Sequence, residues 1–119
     1  MRYAWPGYKD SLITLQQRYG NYINGEFVAP VNGDYFTNTS PVDGSVIGEF
    51  PRSGSQDIEN ALDAAHAAAD RWGKTSVQTR SQLLLKIADR LEQNLERIAV
   101  HETWDNGKPV RETLAADLP

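Results

Sequence analysis

Thr103-Trp104-Asp105-Asn106-Gly107-Lys108-Pro109 reads as the foot of the longest helix in a chain of 119 residues. Asn106 and Gly107 are residue types that tolerate the left-handed conformation a helix C-terminus needs. Pro109 follows where a proline blocks further helix. The segment is a stop signal, and Thr75 to His101 reads as one element running into it. Its seven residues contain neither a nucleophile nor a phosphate loop.

Upstream, Thr75 and Gln78 form a capping box for that helix. Its apolar face is Leu84, Ile87, Leu91, Leu95 and Ile98, supported by Leu83, Ala88 and Ala99. A shorter helix precedes it, with Ser55 as N-cap and Asp57 and Glu59 in the first turn, where the helix dipole favours negative charge. Ile58, Leu62, Ala65, Ala69 and Trp72 recur at helical spacing, and Gly73 ends the run. The short Gly73-Lys74 link predicts antiparallel neighbours that bury these stripes against each other. After Pro109, Val110 to Asp117 reads as helix again.

Before Ser53 the texture is β-like. Asn24-Gly25, between Tyr22-Ile23 and Glu26-Phe27-Val28, is the pair a type I′ hairpin turn prefers. Asp43-Gly44 gives a second such signal, between Phe36 to Val42 and Ser45 to Phe50, and Pro30-Val31-Asn32-Gly33 joins the two hairpins. Residues 1–18 read as an irregular arm, with a short helix near Asp10 to Gln17 and aromatics Tyr3, Trp5 and Tyr8 that lie against something. Two hairpins without a sheet partner and helices with surplus apolar surface read as part of something larger.

Composition excludes several classes. The net charge is -4, and the 12 Lys and Arg are dispersed, so there is no concentrated basic face for nucleic acid. No apolar run approaches the roughly 20 residues of a membrane span. Met1 to Pro6 has no apolar core of a secretory signal, so the expectation is a cytoplasmic protein. There is no cysteine, hence no disulfide, thiolate metal site or cysteine nucleophile within these residues. His66 and His101 form no His-x-x-x-His pair, and the carboxylates read as solvated helix faces. The glycines form neither G-x-G-x-x-G nor a Walker A loop. The residues alone therefore display neither a catalytic constellation nor a cofactor cradle.

The order of features resembles the N-terminal part of the aldehyde dehydrogenase superfamily. Four places carry the likeness: Tyr22 to Phe27; Phe36 through Ser40-Pro41-Val42-Asp43-Gly44-Ser45-Val46-Ile47, with Ser40 where asparagine is common; Asp57-Ile58 through Ala68 and Trp72; and Arg80 through Glu102 with Asp105 to Pro109. It spans about Tyr19 to Pro119. Glu102 to Pro109 and the ending Ala116-Asp117-Leu118-Pro119 are similar to the bacterial acetaldehyde-type branch. The resemblance implies an α/β fold in which two short hairpins and two long antiparallel helices flank a Rossmann-like sheet supplied by missing residues. Residues 1–18 would be an arm and 19–119 the incomplete N-terminal part of the cofactor-binding domain.

It also implies a longer enzyme that oxidises a small aliphatic aldehyde to a carboxylic acid with NAD or NADP. A cysteine thiolate adds to the aldehyde, hydride passes to the nicotinamide, and glutamate-activated water hydrolyses the thioester. In the family those residues, and the dinucleotide contacts, lie beyond Pro119, so no catalytic or cofactor residue is assigned here. The partners implied are the rest of the chain, the aldehyde, and further copies in a homodimer or homotetramer. One site carries over by similarity: a structural monovalent cation held by the backbone carbonyls of Asn38 and Thr39 and by Asp105. The other reading of Asp105 is that it satisfies backbone donors near the helix end. The alternative to the enzyme segment is a self-standing helical interaction module that binds a partner through the Ile58 to Trp72 stripe.

Overall fold

The computed structural model describes residues 3–119; Met1 and Arg2, the start of the expected arm, lie outside the described residues. Strands β1 (Asn21–Ile23) and β2 (Glu26–Val28) pair antiparallel, as do β3 (Tyr35–Thr39) and β4 (Val46–Pro51), in two separate two-stranded sheets. Asn24 (φ 54°) and Gly25 (φ 83°) both take positive φ, as a type I′ turn requires. The second connection is longer than a two-residue turn. Gly44 is left-handed, Ser40 and Ser45 close the loop through a 2.8 Å backbone hydrogen bond, and the ladder slips between Asn38 and Thr39.

Helix α1 (Ser55–Gly73) begins one residue earlier than expected, because Gly54 rather than Ser55 is the N-cap. The cap is supplied by Asp57, which accepts from the backbone N–H of Gly54 (2.9 Å) and, with its other oxygen, of Val31 (2.9 Å). Asp57 is thus a buried tie between helix and hairpin linker, not a solvated first-turn charge. The expected Thr75/Gln78 box is also displaced. Ser76 caps α2 (Val77–Gln93), its hydroxyl accepting from Thr79 N–H at 3.1 Å, while Thr75 bonds back to the Arg71 carbonyl.

The expected single long helix is two. Asn94 leaves helical geometry (φ -114°, ψ 12°) and its amide donates to the Arg90 carbonyl at 2.9 Å, so α2 stops and α3 (Leu95–Asn106) restarts. Gly107 closes α3 in the left-handed conformation (φ 82°), with its N–H on the Thr103 carbonyl at 2.9 Å. Beyond Pro109, three residues of α4 (Val110–Glu112) run into a π-helical turn, Thr113–Asp117, rather than one regular helix. The buried Thr113 hydroxyl stands 3.2 Å from the Ala99 carbonyl, 3.0 Å from that of Val110 and 3.1 Å from the Thr103 hydroxyl.

The arm contains no helix at Asp10 to Gln17; it runs extended beside β4 instead. Tyr19 N–H reaches the Glu49 carbonyl (2.9 Å) and Glu49 N–H the Gln17 carbonyl (3.0 Å), which gives a parallel bridge between Arg18 and Glu49. Trp5 meets Trp104 edge-on at 4.8 Å, so this aromatic of the arm does lie against the terminator, whereas Tyr8 stays exposed. The core is correspondingly small: Ile13 of the arm, Ile47 of β4, and Ala99 and Val100 of α3.

Helices α1 and α2 do not bury their stripes on each other. Leu84 remains 66% exposed and Ile58 56%, and no residue of α2 is buried. The chain exposes 8811 Å² at 13.3 kDa, where a compact chain of that mass exposes roughly 6,500 Å². Its radius of gyration is 17.5 Å, against roughly 13.5 Å for a compact chain of this length. The molecule is a flat framework with one consolidated corner and long apolar faces left open.

Candidate functional site

The consolidated corner is where three of its elements converge: the end of β3, the last turn of α3 and the arm. Strand β3 delivers Asn38 and Thr39 there because the ladder slips at that point: Asn38 faces Gly48 and Thr39 faces Val46. The next residue, Ser40, is buried, and its hydroxyl donates to the Trp104 carbonyl while accepting from Val42 N–H at 3.3 Å. This contact pulls the loop onto the terminator. Nothing in the sequence pattern singled out Ser40 for this part, beyond its standing where the family commonly has asparagine.

Asp105 projects from the last turn of α3 and accepts a hydrogen bond from the Asn38 side-chain amide, Nδ2 to Oδ1, at 2.7 Å. The structure therefore brings Asn38 and Asp105 together, with Thr39 adjacent on the strand and exposed. Asp105 Oδ2 and Asn38 Oδ1 accept no hydrogen bond from the described residues. No group of three or more His, Cys, Asp or Glu able to hold a metal occurs among the described residues. The Asp105 carboxylate with the backbone carbonyl oxygens of Asn38 and Thr39 would make an all-oxygen donor set, suited to a hard ion rather than to a transition metal. The chemistry of the donors fits the cation named above.

Around this point the terminator is stitched internally. Lys108 N–H donates to Asn106 Oδ1 (2.8 Å), Asn106 Nδ2 to Glu102 Oε1 (2.7 Å), and Lys108 Nζ pairs with Asp117 Oδ2 at 2.8 Å. The Asp117 carboxylate, by hydrogen bond and by charge, holds the Lys108 ammonium above its ordinary pKa. His101 Nδ1 lies 2.8 Å from the Arg97 carbonyl, and His66 is exposed on α1.

The first turns of the two longest helices are occupied by side-chain caps. Asp57 places a carboxylate over the first turn of α1, and Ser76 occupies that of α2. An apolar groove of about 380 Å³ runs across the α2–α3 junction beside Ile87, Leu91 and Ile98. A cleft of about 260 Å³ opens between arm and α3 beside Ile13, Phe50 and Trp104. Neither brings a nucleophile against a base; both are surfaces for packing.

Comparison with known proteins gives this framework its class. The fold superposes on the solved structure of PnpE in complex with nicotinamide adenine dinucleotide with a TM-score of 0.83 at 36% identity, over 87% of this chain and 21% of that one. It superposes equally on an indole-3-acetaldehyde dehydrogenase, TM-score 0.83 at 32% identity, over 91% of this chain and 26% of the other. This is the N-terminal part of the aldehyde dehydrogenase fold.

Residues 27–119 match the model of the aldehyde dehydrogenase family, and the chain belongs to that family. An acetaldehyde dehydrogenase of Pseudomonas aeruginosa is 70% identical over 119 residues, and a long-chain-aldehyde dehydrogenase of an Acinetobacter species is 60% identical over 119. In both cases all of this chain is covered but only 24% of the relative, so the chain spans about a quarter of their length.

Proposed function

We propose that the chain is the N-terminal portion of an NAD(P)-dependent aldehyde dehydrogenase acting on small aliphatic aldehydes, and that its own part is structural. The observation that carries this is identity of 70% sustained over every residue with an acetaldehyde dehydrogenase. The physical support is the open framework. Leu84, Ile87 and Leu91 on α2 and Ile58, Leu62 and Trp72 on α1 are exposed apolar surface, of a kind that soluble proteins cover. The occupant is the Rossmann-like sheet supplied by the rest of the polypeptide. On this reading residues 1–18 are an arm and 19–119 the N-terminal part of the cofactor-binding domain. The reactive cysteine, the glutamate base and the nucleotide contacts come from elsewhere in the chain.

The same reading places a structural monovalent cation at the Asn38 and Thr39 carbonyls and Asp105, supported by the all-oxygen donor set and the Asn38–Asp105 approach. It also places the whole enzyme in the cytoplasm as a homodimer or homotetramer.

The test is expression of the whole polypeptide encoded by the gene, with NADH or NADPH formation followed on acetaldehyde and longer aldehydes. Turnover that disappears when the downstream cysteine is replaced supports the reading; a purified full polypeptide inert with every aldehyde and both cofactors overturns it. The 119-residue chain by itself is expected to melt broadly and bind hydrophobic dye. A single cooperative melt as a monomer without dye binding would instead establish the self-standing module.

A further inference from the structure

Asn-Gly occurs three times in the chain, at Asn24-Gly25, Asn32-Gly33 and Asn106-Gly107. Each pair is open to the same slow reaction, in which the glycine backbone nitrogen attacks the side-chain carbonyl carbon of the asparagine before it. A Cβ on the second residue obstructs that path, and glycine has none. All these residues are exposed, so access of water does not separate the pairs. Hydrogen bonding does.

At the terminator both partners are held. Gly107 N–H donates to the Thr103 carbonyl at 2.9 Å, Asn106 Nδ2 donates to Glu102, and Asn106 Oδ1 accepts from Lys108 N–H. In the linker, Gly33 N–H donates to the Pro30 carbonyl at 2.9 Å, and the buried Asp57 carboxylate fixes the neighbouring Val31 N–H. At the hairpin tip, neither Gly25 N–H nor the Asn24 side chain makes a hydrogen bond with the described residues. A Cβ built on Gly25 would meet nothing within 4 Å. Asn24 is left-handed here (φ 54°), and the turn must open before the glycine nitrogen reaches its Cγ. The flanking strands are three residues each and form a sheet of their own. Such a ribbon is marginal in water, so opening costs little.

We propose that Asn24 is a site of spontaneous deamidation and isomerisation in this protein, with water as the second reactant. In the opened turn Gly25 N–H gives up its proton to solvent and the nitrogen bonds to Asn24 Cγ. The bond from Cγ to the amide nitrogen breaks, and that nitrogen takes up a proton and leaves as ammonia. Water then opens the cyclic imide at either carbonyl, giving aspartate or isoaspartate, and nothing is oxidised or reduced. Aspartate keeps the turn, since Asp-Gly also suits type I′. Isoaspartate lengthens the main chain by the side-chain methylene, and the Ile23–Glu26 pairing across the turn loses its fit. The strand unfastened from β2 is the one whose Asn21 amide holds Ser53, at the approach to α1, at 2.9 Å.

The inference is independent of the enzymatic reading. The experiment ages the full-length polypeptide in warm, mildly alkaline buffer and follows each Asn-Gly pair by peptide mass spectrometry. Isoaspartate is counted by radiolabelled methyl transfer from S-adenosylmethionine with an isoaspartyl methyltransferase. In the folded polypeptide Asn24 is expected to convert at least about tenfold faster than Asn32 or Asn106, as the ratio of their local opening equilibria. In guanidinium chloride the three rates are expected to converge, because only the shared Asn-Gly chemistry then remains. Asn24→Gly keeps a residue suited to positive φ and is expected to lose most of the methyl labelling while melting close to the parent.

Comparable rates at the three pairs in the folded polypeptide, or an Asn24 slower than either of the others, overturn the proposal. Methyl labelling of Asn24→Gly as strong as that of the parent overturns it as well.

Discussion

Ser40 and Trp104, 64 residues apart, are joined by a hydrogen bond from the serine hydroxyl to the tryptophan backbone carbonyl. The serine is 1% exposed, so water cannot replace it as a donor. The carbonyl belongs to the last turn of α3, one of the four that a helix leaves without an internal partner. The contact is therefore both a C-terminal cap and the seam between hairpin and helix.

Ser40→Ala leaves that carbonyl unpaired. The expected loss of stability is about 1–3 kcal/mol, the range for a buried polar group deprived of its partner. Urea denaturation of the full-length polypeptide measures it, and a loss within error of zero would show that the Trp104 carbonyl finds another donor.

Gly107→Ala meets two obstacles at once. The residue sits at φ 82°, and a Cβ there would stand 3.1 Å from Pro41 Cγ. The left-handed conformation alone costs a non-glycine residue about 1–2 kcal/mol, and the proline ring adds to it. The substitution is expected to lower stability by at least that amount. In a Pro41→Ala background the loss should shrink, since the steric share disappears while the backbone share stays. Equal losses in both backgrounds would assign the whole effect to φ.

Lys108 is a group whose proton binding depends on the fold. Asp117 favours its charged form, so its folded pKa lies above the ordinary lysine value. A raised folded pKa means that the pair contributes its stability in full below the unfolded lysine pKa and loses it as pH rises through the folded one. At neutral pH the pair's contribution is therefore fully present. Nitrogen NMR of the Lys108 ammonium is expected to give a midpoint above the ordinary value, and Asp117→Asn to bring it back. Because the lysine is exposed, the accompanying change in unfolding stability is expected to be small.

The elements that sequence reasoning placed well are those set by a few adjacent residues. Asn24-Gly25 adopts the positive φ values of its turn, and Gly107 with Pro109 behind it ends α3. Both rest on local sterics that neighbours hardly alter. The break at Asn94 escaped the periodicity because Leu91, Leu95 and Ile98 keep helical spacing across it. The one available signal was the asparagine, whose amide competes for backbone partners. Asp57 looked like a dipole charge because its second partner, Val31, is 26 residues away and belongs to another element. The arm looked helical for the same reason, since its hydrogen bonds go to β4 and not to itself.

At the candidate site the residue types came from the chain and their meeting came from the fold. Asn38 and Asp105 were singled out by likeness to a family, but their 2.7 Å contact spans 67 positions and exists only because β3 and the end of α3 converge. By itself the sequence determined where the backbone turns left-handed, where helices stop, which faces are apolar, and that no thiol is present. Only the tertiary structure decided that Asp57, Ser40 and Asn38 act as ties and that the long apolar faces stay uncovered. Local preferences are written in steric contacts within a turn or two, whereas a buried hydrogen bond between distant segments depends on how whole elements are brought together.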